Sequence, residues 1–237
     1  MRKTPPPEEY TTEYYLTDCE GFRDFSSGGI SARHKKVLAY LEVKPQQRVI
    51  DIGCGRGELV RECNRLGAWA IGIDYSPAAV RISHHTAKQG VIITASATHL
   101  PFRGGTFDKV ILIDVVEHLD KSDLCVCLGE INRVLRRGGV LLIETPNTWR
   151  KLVGWWSRFT FRPEQLALFS AKSLYYVQTM HVNEQNPLSL KRILHQNGFS
   201  SKIRFHFPEI AYLSFWKTTI YRIFFLCGPI WCRARKK

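Results

Sequence analysis

Apolar and polar positions change period repeatedly between residues 46 and 147, and the changes mark out alternating elements. Short apolar runs bounded by turn residues predict strands over Arg48–Ile52, Trp69–Ile73, Val91–Ala95, Phe107–Val115 and Val140–Glu144. Between them, helical spacing predicts helices over Gly57–Leu66, over Pro77–Gln89 and along Leu124, Leu128, Ile131 and Leu135. Ser76 suits the N-cap of the second helix, with Pro77 at its first position, and Gly138-Gly139 stops the third. The run FDKVILIDV is nearly continuous in apolar residues, as a strand buried on both faces should be. Strand–helix alternation of this kind predicts an α/β fold: a doubly wound, mostly parallel sheet with right-handed crossovers.

The flanks follow other patterns. In residues 1–45, a Pro- and Glu-rich start leads into Tyr10–Phe25, aromatic and acidic by turns, which suits a short helix or a lid. Ile30–Leu41 predicts a helix with Val37, Leu38 and Leu41 on one side. Residues 148–186 form a long aromatic and basic insert (Trp149, Trp155, Trp156, Phe159, Phe161, Tyr175, Tyr176), and a stretch of that length in a compact domain usually has a structure or function of its own. Residues 187–209 return to the earlier rhythm, with a helix over Pro187–Gln196, Gly198 as its stop and a sixth strand over Lys202–Phe207. No seventh strand is evident. Residues 210–237 predict an apolar, basic C-terminal helix ended by Gly228-Pro229. Spanning a bilayer takes about 20 uninterrupted apolar residues. Lys217 and Arg222 interrupt this run, so a helix lying in the membrane interface is expected, with docking on its own domain or on a second subunit, as a homodimer, as rivals.

Charge sharpens the asymmetry. The formal net charge is +13, yet residues 1–150 hold 20 Lys+Arg against 18 Asp+Glu, while residues 151–237 hold 14 against 3. An anionic partner for the last third is implied, either lipid headgroups or nucleic acid. The seven cysteines are an odd number without paired spacing, and Cys125 and Cys127 face different sides of a predicted helix, so neither a disulfide framework nor a metal site is expected. The N-terminus has no apolar signal region, and a reducing cytoplasm is the expected compartment.

The chemistry centres on VIDIGCGRGEL, where an apolar run ends in Asp51 and glycine takes every second place at Gly53, Gly55 and Gly57. A dinucleotide fingerprint needs G-x-G-x-x-G, and here the third glycine comes one place early. Asp74 closes the second strand in IGIDYS; ATHLPF, FDKVILIDVVEHL and LRRGGVLLIETPN follow in order. Together these resemble the ordered motifs of class I S-adenosylmethionine-dependent methyltransferases, over roughly residues 46–147 and again at Leu188–Phe199. The small-molecule type that includes the ubiquinone and menaquinone biosynthesis enzymes is the most similar. The resemblance implies a Rossmann-like core, a capping insert and S-adenosylmethionine as cofactor.

It also implies roles. Gly53, Gly55 and Gly57 would lie against the methionyl part, Asp51 and Asp114 would hold its ammonium, and Asp74, followed by Tyr75, would bind the ribose diol. Ser96 and Ala97 would contact adenine, with Ser96 standing where the family often has Asp. His118 and His181 are the candidates to take a proton from an acceptor hydroxyl. The implied activity is methyl transfer to an oxygen or carbon of a small, apolar or lipid-linked molecule near a membrane surface. An RNA methyltransferase and a non-catalytic cofactor-binding scaffold are the rivals. The place after the fourth strand reads DVVEH, not the N-P-P-Y type frequent in enzymes that methylate amino groups of nucleic acids.

Overall fold

The computed structural model describes residues 3–19, 21–88, 90–149, 179–205 and 229–237. Its strands β1 (Arg48–Ile52), β2 (Trp69–Asp74), β3 (Val91–Thr94), β4 (Phe107–Ile113) and β5 (Leu135–Thr145) pair in parallel. With β6 (Phe199–Phe205) and β7 (Ile230–Lys236) they form a seven-stranded sheet of order β3-β2-β1-β4-β5-β7-β6. Only β7 runs against its neighbours β5 and β6. This is the doubly wound α/β fold expected, and its strand order reverses between β1 and β4.

Helices cover both faces because the strands alternate. Ile50, Ile52, Leu112 and Leu141 meet α5 (Lys121–Val134) and α6 (Pro187–Gln196) through Leu124, Leu128, Ile131, Leu190 and Leu194. Val49, Ile111 and Leu142 point the other way, onto α2 (Ala32–Leu41) and α3 (Glu58–Arg65). Asp120 caps α5 by accepting from Ser122 and Asp123 backbone N–H groups. Ser76 caps α4 (Pro77–Thr86) as predicted. Cys125 is exposed and Cys127 buried, on opposite sides of α5.

Two elements differ from the sequence reading. The third helix of the core ends at Val134, and β5 starts at Leu135, five residues ahead of the predicted Val140. Phe107 pairs with Leu135 and Lys109 with Val140, so Arg136–Gly139 bulge out of register. The larger difference lies at the C-terminus. A seventh strand exists, and it is built from Ile230–Lys236, residues expected to be a helix end and a basic tail. The dense charges hid it. Ile230, Trp231, Cys232 and Ala234 are buried, while Arg233 donates to Glu42 (3.1 Å) and the Lys236 ammonium donates to the carbonyls of Asn132 and Leu135 at the end of α5. Those cations serve the sheet, not a free tail. The remainder of the predicted helix, residues 210–228, lies outside the described residues, as do residues 150–178 of the insert.

Before the sheet, the chain crosses the carboxyl ends of the strands. It does so through a 3₁₀ turn (Pro7–Glu9), a π-helical turn (Tyr14–Asp18) and the short α1 (Phe22–Ser26). Tyr10 and Tyr15 pack with Ala78, Ala79 and Met180 as a small third core. The Tyr10–Phe25 stretch is therefore both packed and placed as a roof.

Candidate active site

In an open α/β sheet, ligands bind beyond the carboxyl ends of the strands where strand order reverses. Here that point, between β1 and β4, opens into a cavity of about 370 Å³. Asp51, Gly53, Gly55, Asp74, Tyr75, Ser96, Ala97, Asp114, His118 and His181 all line it, so nearly every residue singled out in the sequence converges there. Gly57 does not. It begins α3 at φ +79°, with Ser83 of α4 packed against it.

The loop after β1 is shaped for close approach. Gly53 has φ +72°, and a Cβ on it would sit 2.4 Å from Val115 Cγ2. The Gly53 and Cys54 N–H groups both donate to the Ile73 carbonyl (2.8 and 3.0 Å), which ties the loop to β2. Asp74 ends β2 and is 5 % exposed. Its Oδ2 accepts from Gly55 N–H (3.0 Å) and its Oδ1 from Ser76 N–H (2.9 Å). Burial pushes its carboxyl up to about 6, against those N–H bonds. Asp51, deeper in the crevice, is pushed up to about 8 by burial and then by Asp74 and Glu58.

That shift has a measurable consequence. At pH 7 folded Asp51 holds a proton that the unfolded chain has lost. A carboxyl raised in the folded state favours folding below its unfolded pKa, and the advantage disappears as pH rises through the folded value. His34 and His118, both held down to about 4, act oppositely but only below their unfolded value. Between pH 6.5 and 8, therefore, the unfolding free energy of the ligand-free chain is expected to fall as pH rises, and Asp51→Asn should flatten that slope. Urea melts at several pH values check it, and an unchanged slope in the variant would remove Asp51 as the cause.

Asp114 follows β4 in left-handed backbone (φ +52°). Arg33 from α2 donates to both its oxygens (2.7 Å each) and sits 2.9 Å from Glu144 Oε1 at the end of β5. Burial raises the Asp114 carboxyl, but the guanidinium outweighs it and holds Asp114 below its ordinary value. Arg33 is a site residue the sequence reading missed; its only signal was a cation opening an apolar-faced helix.

Two histidines also line the cavity. His118 bonds through Nδ1 to the Met180 carbonyl (3.1 Å), and its ring meets that of His181 edge-on at 5.1 Å. Burial, and then His181, lower His118 to about 4, so it is neutral at pH 7. His181 Nδ1 lies 3.0 Å from Glu184 Oε1. Both imidazoles are thus held through Nδ1, which leaves Nε2 as the remaining ring nitrogen. Glu117 is 1 % exposed and accepts from Thr145 Oγ1 (2.9 Å), and burial and then Asp114 push its carboxyl well above the ordinary range. One donor atom each from Glu117, His118 and His181 lies within 4.8 Å of the others, close enough to converge on one oxygen or one cation. The Glu117 carbonyl accepts from Val182 and Asn183 N–H (2.9 and 3.0 Å), which carries His181 into the site from 63 residues away. Sequence spacing could not reveal this meeting.

A doubly wound sheet, an acid-glycine loop after β1 and a buried acid closing β2 together define an S-adenosylmethionine crevice, and the residues fit that cofactor: a backbone cradle a Cβ would fill, and buried carboxylates facing it. The core of the chain is that of a class I S-adenosylmethionine-dependent methyltransferase. Residues 50–143 match the family described as "Methyltransferase domain". Among curated relatives, a ubiquinone biosynthesis O-methyltransferase of Mesorhizobium japonicum is 36% identical over 111 residues, 45% of this chain and 44% of that protein. A sterol 24-C-methyltransferase of Schizosaccharomyces pombe is 35% identical over 117 residues, 46% of this chain and 30% of that one. The chain thus spans less than half the length of each. A solved S-adenosylmethionine-dependent methyltransferase from Archaeoglobus fulgidus shares the fold at TM-score 0.65 and 24% identity, covering 94% of this chain and 99% of the other.

Proposed function

We propose that this chain transfers the cofactor's methyl group to an oxygen or carbon of a small, apolar or lipid-linked molecule. The observation that carries the reading is the mixed lining of the cavity, where Asp51, Gly53 and Asp74 share one space with Tyr10, Tyr14, His118, Leu119, Pro146 and His181. The cofactor, when bound, supplies a methyl group already activated on a sulfonium. Asp74 takes the ribose hydroxyls, Asp51 and Asp114 face the ammonium, and Ser96 and Ala97 lie along the adenine. His118 and His181 orient the acceptor and take its proton when it is a hydroxyl. The roof excludes water.

The acceptor class draws support from the wall chemistry and from the names of the relatives, one an O-methyltransferase and one a C-methyltransferase. Approach from a membrane surface rests on the apolar sequence of residues 210–228 alone, since Arg233, Arg235 and Lys236 belong to β7. Among the described residues no helix is long and apolar enough to cross a membrane.

Incubation of the protein with methyl-labelled cofactor and fractionated cell extract tests the reading. Label is expected in the lipid or apolar small-molecule fraction and absent with Asp74→Ala. Label in RNA or protein, or in no fraction, would overturn it.

A further inference from the structure

Arg56 stands between Gly55 and Gly57 and lines the crevice, and its side chain is anchored in the roof. It is 3 % exposed. Its Nη1 donates to the Tyr15 carbonyl (2.9 Å) and the Cys19 carbonyl (3.3 Å). Its Nε donates to Glu58 Oε2 (3.0 Å), and its guanidinium lies 5.2 Å from the centre of the Phe25 ring. Tyr15 and Cys19 lie within and just beyond the π-helical turn Tyr14–Asp18. The last carbonyls of a helical turn have no partner within it. Here the cofactor loop supplies one.

The rest of the roof is fastened along the same rim. The Thr4 hydroxyl donates to Asp123 and accepts from the Asp120 N–H, at the start of α5. The Tyr75 hydroxyl donates to the Pro5 carbonyl (2.7 Å), and the Ser76 hydroxyl to the Tyr10 carbonyl (2.8 Å). The Tyr15 ring lies over Gly55, where an added Cβ would come 3.4 Å from Cε1. Beneath this strap, Asp51 and Asp74 are 4 % and 5 % exposed. Thr4, Tyr10, Tyr14, Tyr15, Asp18 and Cys19 line the same cavity as these two carboxyls, so the strap is a wall of the space that a ligand of the cofactor's size must enter.

We propose that residues 4–19 form a strap that must lift for cofactor exchange, and that Arg56 is its latch, joining the glycine loop to the strap's helical turn. The inference rests on the cofactor crevice and not on the choice of acceptor. A latch that holds the strap closed with and without ligand slows entry and exit equally. Its loss therefore raises both rates and leaves affinity nearly unchanged, whereas loss of a ligand contact raises only the exit rate.

The test is stopped-flow binding of S-adenosylhomocysteine to the full chain, wild type against Arg56→Lys, which keeps a cation beside Glu58. A Thr4→Val variant weakens the strap at its far end, away from Glu58. In both variants association and dissociation rates are expected to rise together by about tenfold, the worth of one hydrogen bond to a charged or polar partner, with Kd within about threefold of wild type. Amide hydrogen exchange over residues 10–19, measured without ligand, should quicken by a similar factor. Unchanged rates in both variants, or a raised dissociation rate with unchanged association, would overturn the latch. Failure of the wild type to bind S-adenosylhomocysteine would instead overturn the cofactor assignment, and ligand-free exchange would still report on the strap.

Discussion

Replacing Arg33 with methionine is expected to lower the unfolding free energy by about 3–5 kcal/mol, the range for removing one partner of a buried ion pair. Arg33 Nε lies 2.9 Å from Glu144 Oε1, and Glu144 is 1 % exposed at the end of β5. The same guanidinium grips both oxygens of Asp114, whose left-handed backbone at φ +52° is tolerable for aspartate but not favoured. Without the guanidinium, a buried carboxylate must either stay charged without that partner or take up a proton, and both cost stability. For a chain of this size the loss corresponds to roughly 10 °C in Tm. Thermal and urea melts measure it. The double variant Arg33→Met/Glu144→Gln should recover a good part of the loss, because the buried carboxylate that the guanidinium served is then a neutral amide. A single-variant loss under about 1 kcal/mol would show that the pair is not the cross-brace between α2, β4 and β5 that its geometry describes.

Gly53→Ala should be nearly as damaging, for a steric reason. The residue sits at φ +72°, where a side chain costs about 1–2 kcal/mol, and the new Cβ would be placed 2.4 Å from Val115 Cγ2. Overpacking of that kind adds about 1–3 kcal/mol, or moves the loop. Since the loop is one wall of the crevice, S-adenosylhomocysteine binding is expected to weaken by at least tenfold as well. Gly138→Ala is the control: its φ is also +72°, but nothing lies within 4 Å of the added Cβ. It should show the backbone cost alone and leave binding intact. Val115→Ala introduced beside Gly53→Ala should restore part of the binding. Equal stability losses at the two glycines would show that Val115 does not crowd the loop, and isothermal titration alongside urea melts decides the matter.

The core was legible because its signals are local. A strand buried on both faces must be apolar throughout, an N-cap needs an oxygen at one position, and a loop that passes close to a ligand needs glycine. β1 to β4, Ser76 as cap and the placing of Asp51, Asp74 and Gly53 at one crevice all follow from such requirements. β7 was not legible for the opposite reason. Its cations are matched by Glu42 and by the carbonyls of Asn132 and Leu135, partners more than 95 residues away in sequence. A charge whose partner is distant reads as a solvated charge. Arg33 and Arg56 were overlooked in the same way, since each acts through groups brought to it by other elements.

By itself, then, the order of residues determined the class of fold, the methyl donor and most of the acids and glycines that line the crevice, since spacing along one strand–loop–helix unit is a local property. The meeting of His118, Glu117 and His181, the Arg33 brace, the insertion of β7 between β5 and β6 and the Arg56 latch were decided only by the tertiary structure. Each depends on a hydrogen bond or ion pair between segments distant in the chain, and such a bond has no period in sequence. It exists only once burial has brought both partners out of water and left each with the other as its means of satisfaction.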